Sequence, residues 1–77
     1  MQVNIIIFGQ LKDITGTGNI TLYDVADSEQ LIQQLHIRYP ALSEFPYLVA
    51  VEKEVITSNK VLADNYTVAL LPPYSGG

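Results

Sequence analysis

The sequence predicts one α+β domain of two layers, with a single main helix packed on one face of a mixed sheet of four to five strands. Three observations predict it. Short runs rich in branched apolar residues recur at Gln2–Phe8, Ile20–Tyr23, Tyr47–Val51 and Tyr66–Leu71, with Val55-Ile56 as a shorter one. One longer stretch, after Asp27, carries its apolar residues at helical spacing instead. The chain has 77 residues, enough for one core only. One helix can cover one face of such a sheet, so the other face meets water or another protein.

Apolar residues make up 48% of the chain, a composition that folds rather than stays disordered. A chain this short buries only roughly 60% of its unfolded surface, so a disulfide, a metal or a partner usually supports it. With no cysteine, disulfides, thiol catalysis and zinc–thiolate sites are excluded. A single histidine outside any ligand cluster argues against a metal site. A protein partner is the remaining support. The net charge is −4, and the cations Lys12, Arg38, Lys53 and Lys60 are scattered, which disfavours nucleic acid. There is no signal-peptide pattern and no apolar run of membrane-spanning length, so a soluble cytoplasmic protein is expected.

Period-two alternation puts Val3, Ile5 and Ile7 on one face of the first strand, and Gln2, Asn4, Ile6 and Phe8 on the other. Gly9 to Asn19 reads as a loop with Leu11 and Ile14 as anchors. Ile20 and Leu22 point inward in a second strand, a hairpin partner of the first. Asp27 with Gln30 fits a capping box, and Leu31, Ile32, Leu35 and Tyr39 form the buried stripe of the helix that follows. Ile37 falls off that stripe, and His36 lies at its edge with no acidic or nucleophilic partner placed by the sequence. Pro40 ends the helix. Leu42 and Phe45 are expected to tuck inward from the connector, and Val61-Leu62 to form a small anchor. Glu52-Lys53-Glu54 is a charged turn. In the last strand Tyr66, Val68 and Leu70 share one face and Thr67, Ala69 and Leu71 the other.

Residues 1–71 are read as the folded domain and 72–77 as a flexible C-terminal tail, Pro72-Pro73-Tyr74-Ser75-Gly76-Gly77. Proline has no N–H for a sheet ladder, so the pair stops the strand. It also favours an extended form at the base of the tail. Six extended residues reach roughly 20 Å, enough to enter a deep pocket. Glycine at the end permits close backbone approach in a narrow channel. These features point to the Gly77 carboxylate as the reactive group.

Three stretches carry a family resemblance: Phe8-Gly9-Gln10-Leu11-Lys12-Asp13, Val49-Ala50-Val51, and Val68-Ala69-Leu70-Leu71-Pro72-Pro73-Tyr74-Ser75-Gly76-Gly77. The chain resembles the ubiquitin-like β-grasp sulfur carriers, in particular the small subunits of molybdopterin synthases. The double proline before a terminal Gly-Gly is the most specific part. The chain departs from the family pattern at Glu52, often asparagine, and at Asp64-Asn65-Tyr66, often Asp-Gly-Asp.

The resemblance implies a β-grasp fold and a non-catalytic carrier in molybdenum cofactor biosynthesis. It implies that Gly77 is adenylated by a ubiquitin-activating-type enzyme, which uses ATP and magnesium, and is then converted to a thiocarboxylate. The sulfur would go to a pterin precursor in the large subunit of molybdopterin synthase, where the catalytic residues lie, within a heterotetramer. No cofactor is expected on this chain alone. In such a fold the first and last strands are parallel neighbours, so Phe8 and Leu71 should lie close. Ile6, Phe8, Ala69 and Leu71, with Val55 or Ile56 beside them, are then expected to form an apolar partner surface. A covering loop would instead make Ile6 and Phe8 ordinary core. A carrier for thiazole synthesis or tRNA thiolation, a ubiquitin-like protein modifier, and an interaction module with an inert tail are the alternatives.

Overall fold

The computed structural model describes residues 1–73; Tyr74, Ser75, Gly76 and Gly77 lie outside the described residues. Strand β1 (Gln2–Ile7) and strand β2 (Asn19–Tyr23) form an antiparallel pair, with Ile5 opposite Ile20 and Val3 opposite Leu22. The alternation of the sequence is the alternation of the structure: Val3, Ile5, Ile7, Ile20 and Leu22 are all buried.

The segment between these strands is more than a loop. It holds a short helix, α1 (Leu11–Thr15), which buries Leu11 and Thr15 one turn apart. Gly16 ends it in the left-handed region at φ 73°, donating its N–H to the Lys12 carbonyl at 2.7 Å.

The main helix, α2, runs from Ser28 to Arg38 and is capped by Asp27, whose Oδ1 accepts the Gln30 N–H at 2.9 Å. Gln30 Oε1 in turn accepts from the Ala26 N–H at 2.9 Å, so the reciprocal bond of the capping box lands one residue before the cap. Leu31 and Leu35 enter the core, and Ile37 is exposed. A short 3-10 helix, Pro40–Glu44, follows and seats Leu42 in the core. Phe45, expected inside, is 51% exposed: Leu42 already fills that end of the core, and Phe45 has left the 3-10 turn in an extended conformation.

The chain then forms β3 (Leu48–Val51), β4 (Glu54–Val55) and β5 (Thr67–Leu71). Phe8, Tyr47, Ile56 and Tyr66 fall just outside the strands expected to include them. The sheet order is β2-β1-β5-β3-β4, with β1 and β5 parallel and the other pairs antiparallel. Leu62 is buried, whereas Val61, expected to anchor with it, is 78% exposed; its backbone instead forms a bridge to Asp27. One core joins the inner faces of β1, β5 and β3 to α2, with Val68 and Leu70 at its centre on the middle strand. This is the ubiquitin-like β-grasp arrangement. No helix among the described residues is long and apolar enough to cross a membrane.

Candidate docking face and tail exit

The strand registers assemble the outer face of the sheet from residues far apart in sequence. Ile6 pairs with Ala69, Ala69 with Ala50, and Ala50 with Val55, so these four form one row across four strands. A second row lies nearer the tail. Leu71 pairs with Leu48, and Phe8 flanks it from the other side through the bond from the Phe8 N–H to the Leu70 carbonyl, 3.0 Å long. Side chains alternate faces along a strand, so both rows lie opposite the buried set Ile7, Val49, Val68 and Leu70. Phe8 is 44% exposed, Leu48 41% and Val55 53%.

Ile6, Phe8, Ala69, Leu71 and Val55 thus share one outer face. The register also chooses between the two candidates at the end of β4. Val55 belongs to the outer row, whereas Ile56 packs against the core. Leu48 and Ala50 complete the face and are additions to the expected set, although Ala50 itself is buried between its neighbours in the row, only 5% exposed. Their signal in the sequence is the alternation of β3 itself, since Val49 and Val51 point inward. The far end of the face is polar: Asn4 pairs with Thr67, and the Thr67 N–H donates to Glu52 Oε2 at 2.7 Å. The apolar half therefore adjoins the end of β5 from which the tail departs.

Pro72 is half-buried and Pro73 exposed. The β1–β5 ladder stops at the Phe8–Leu70 bond, because the next donor in a parallel ladder would be the nitrogen of Pro72, which carries no hydrogen. The expected reactive end, Gly77, and its neighbours Tyr74, Ser75 and Gly76 lie outside the described residues.

His36 has a partner that the sequence does not place. Its Nε2 lies 2.7 Å from the Tyr47 hydroxyl, and the two rings meet edge to face. The contact ties α2 to the start of β3, and burial pushes the Tyr47 phenol above its ordinary range. Neither residue belongs to the rows of the outer face. Among the described residues no three histidine, aspartate or glutamate side chains cluster in a way that could hold a metal ion.

The fold and its tail exit can be set beside known proteins. The model of the ThiS family matches residues 5–77. The chain belongs to the ThiS family. This ThiS-family chain is similar to the molybdopterin synthase sulfur carrier subunit of Chlamydomonas reinhardtii, at 30% identity over 83 residues with all of both chains covered. Among solved structures it is similar to a protein of Helicobacter pylori, described in a complex of subunits 1 and 2 of molybdopterin-converting factor. That match has 26% identity, a TM-score of 0.77 and full coverage of both chains. SAMP1 of Haloferax volcanii, 21% identical with a TM-score of 0.82 and full coverage of both chains, shares the fold. The match to the ThiS family runs through both site elements, from β1 and Phe8 to the Gly76-Gly77 pair.

Proposed function

We propose that this chain is the sulfur carrier subunit of a molybdopterin synthase, acting in molybdenum cofactor biosynthesis. The observation that carries this reading is the juxtaposition of an uncovered apolar face with the strand that leads into Pro72-Pro73-Tyr74-Ser75-Gly76-Gly77. The sulfur carrier relatives and the similarity to a protein seen in complex with a second subunit support it.

The chemistry needs activation first. An α-carboxylate has a pKa near ~3.5, so at neutral pH it is ionised and a poor electrophile. In the proposed sequence a Gly77 carboxylate oxygen attacks the α-phosphorus of ATP and pyrophosphate leaves. A sulfur nucleophile then attacks the carbonyl carbon, and AMP departs with the electron pair of the broken C–O bond. In the large subunit the thiocarboxylate sulfur attacks a carbon of a pterin precursor as a leaving group departs from that carbon, and water then cleaves the acyl C–S bond, leaving the sulfur on the pterin and a carboxylate on Gly77. ATP and magnesium belong to the adenylating enzyme. The domain's own contribution is to dock through Ile6, Phe8, Ala69, Leu71 and Val55 and to aim the tail, whose base the two prolines stiffen ahead of insertion.

The test is mass spectrometry of the purified chain after incubation with ATP, an adenylating enzyme and a sulfur source. The intact chain should gain the mass of one oxygen-to-sulfur exchange, localised to Gly77. An unchanged mass, or amide conjugates to lysine in its place, would sink the proposal.

A further inference from the structure

The stretch Phe8-Gly9-Gln10 follows β1 directly, and docking at Phe8 does not account for the glycine. Gly9 sits at φ +60°, in the left-handed region that side-chain-bearing residues rarely adopt. Its carbonyl accepts the Lys12 N–H at 3.2 Å, so the chain turns here into α1. A Cβ built on Gly9 would lie 2.8 Å from Cγ of Pro72 and 3.6 Å from its Cδ, with nothing else among the described residues, beyond its chain neighbours, within 4 Å. Space for a side chain at position 9 is therefore closed by one object, the ring of the first tail residue. That ring is joined to its own main-chain nitrogen and cannot swing aside like the end of a long side chain. Making room for a Cβ would shift the chain where it leaves β5.

We infer that Gly9 is a positioning residue for the tail: its bare Cα is the seat of the Pro72 ring, and this seat sets the direction in which the tail leaves the sheet. The role in delivery rests on the carrier reading proposed above. Two constraints meet at this one position. Positive φ favours glycine for the turn into α1, and the ring requires glycine for the exit of the tail. They are separable, because only the second depends on what occupies position 72.

The test is a double-mutant cycle read by NMR on the full chain: wild type, Gly9→Ala, Pro72→Ala, and both together. Backbone strain at position 9 is the same in either background, so Gly9→Ala should lower the thermal midpoint in both, and by more with proline at position 72, where the collision with the ring adds to the strain. The amide shifts of the residues after Pro73 should move on Gly9→Ala in the wild-type background and stay in place in the Pro72→Ala background. Equal movement in both backgrounds, or none in either, would overturn the inference. Thiocarboxylation by the adenylating enzyme is then read on the same four proteins. Misdirection of the tail should lower its kcat/KM on the order of 10-fold for Gly9→Ala, with the loss confined to chains that keep Pro72. A wild-type chain that takes up no sulfur would count against the carrier reading alone, because the shift cycle decides the seat without it.

Discussion

Phe8 and Leu70 share the last described bond of the β1–β5 ladder, an N–H to carbonyl contact of 3.0 Å, and Pro72 makes it the last by lacking the next donor. Pro72→Ala supplies that donor. The new N–H at position 72 should then pair with the Phe8 carbonyl and extend the sheet by one rung. Amide hydrogen exchange checks this: the introduced alanine should exchange well below the random-coil rate. Exchange at the random-coil rate would mean that more than the missing hydrogen ends the strand.

The apolar rows make a prediction about binding that differs from one about folding. Phe8→Asp and Leu71→Asp each place a carboxylate in the outer apolar face without entering the core. Each should weaken binding to the large subunit by at least ~10-fold, about 1.4 kcal/mol, because a charge would be desolvated without a partner. Thermal midpoints should change by only a few degrees. Unchanged affinity in a calorimetric titration would remove this face from the interface.

Leu70 and Leu71 are adjacent in sequence and opposite in consequence. Leu70 is fully buried on the middle strand, whereas Leu71 is half-buried on the outer face. Leu70→Ala should cost about 2–5 kcal/mol, a large part of the stability of so small a domain. Leu71→Ala should cost about 1 kcal/mol or less in the isolated chain and show its effect in binding. Urea denaturation of both variants measures the contrast, and similar midpoints would contradict the assigned faces.

Much of the fold is legible in the sequence, for a simple reason. Residues such as Val3, Ile5, Ile7, Val68 and Leu70 recur at every second position, and that period assigns a face without knowledge of the partner strand. What alternation cannot supply is register. The pairing of Ala50 with Val55, and hence the choice of Val55 over Ile56, appears only when the strands are aligned. Helix α1 escapes a reading of the sequence because five residues give barely one turn of periodicity. Phe45 misleads because its size suggests burial while nothing in its surroundings carries a period. The two departures from the family pattern fall on left-handed positions, Glu52 at φ 49° and Asn65 at φ 64°. Asn65 is well suited to the conformation that glycine would take there. Glu52 adopts it while its side chain holds the start of β5. The Gly9–Pro72 contact joins two distant segments and leaves no trace in either one alone.

The turn between β3 and β4 offers a stabilising change. Glu52 and Lys53 are its two central residues, and both have positive φ, as a tight hairpin turn of this hand requires. Lys53, at φ 73°, is exposed and makes no side-chain bond among the described residues. Lys53→Gly relieves a left-handed conformation that costs about 1–2 kcal/mol, offset in part by the greater freedom of glycine in the unfolded chain. The net gain should be about 0.5–1 kcal/mol in urea denaturation. Glu52→Gly should gain less, since it gives up the bond to the Thr67 N–H. If Glu52→Gly stabilised more than Lys53→Gly, the bond to Thr67 would be of no consequence.

Tyr47 gives the fold a dependence on alkaline pH. Burial raises its phenol above the ordinary value of 10.0. The unfolded chain therefore loses this proton at a lower pH than the folded chain does. By linkage the contribution is fully present below the unfolded value, and it is lost as pH rises from there through the folded value. Tyr47→Phe removes the titration together with the hydrogen bond to His36. The variant should be less stable than wild type at pH 8, by about 0.5–1.5 kcal/mol for one lost hydrogen bond. Its deficit should shrink as pH is raised above about 10, the ordinary tyrosine value. The difference between the two proteins isolates Tyr47, because every other group is common to both. Urea midpoints measured from pH 8 upward check the sign, and a deficit that widens with pH would show that the ionised phenol is favoured by the fold.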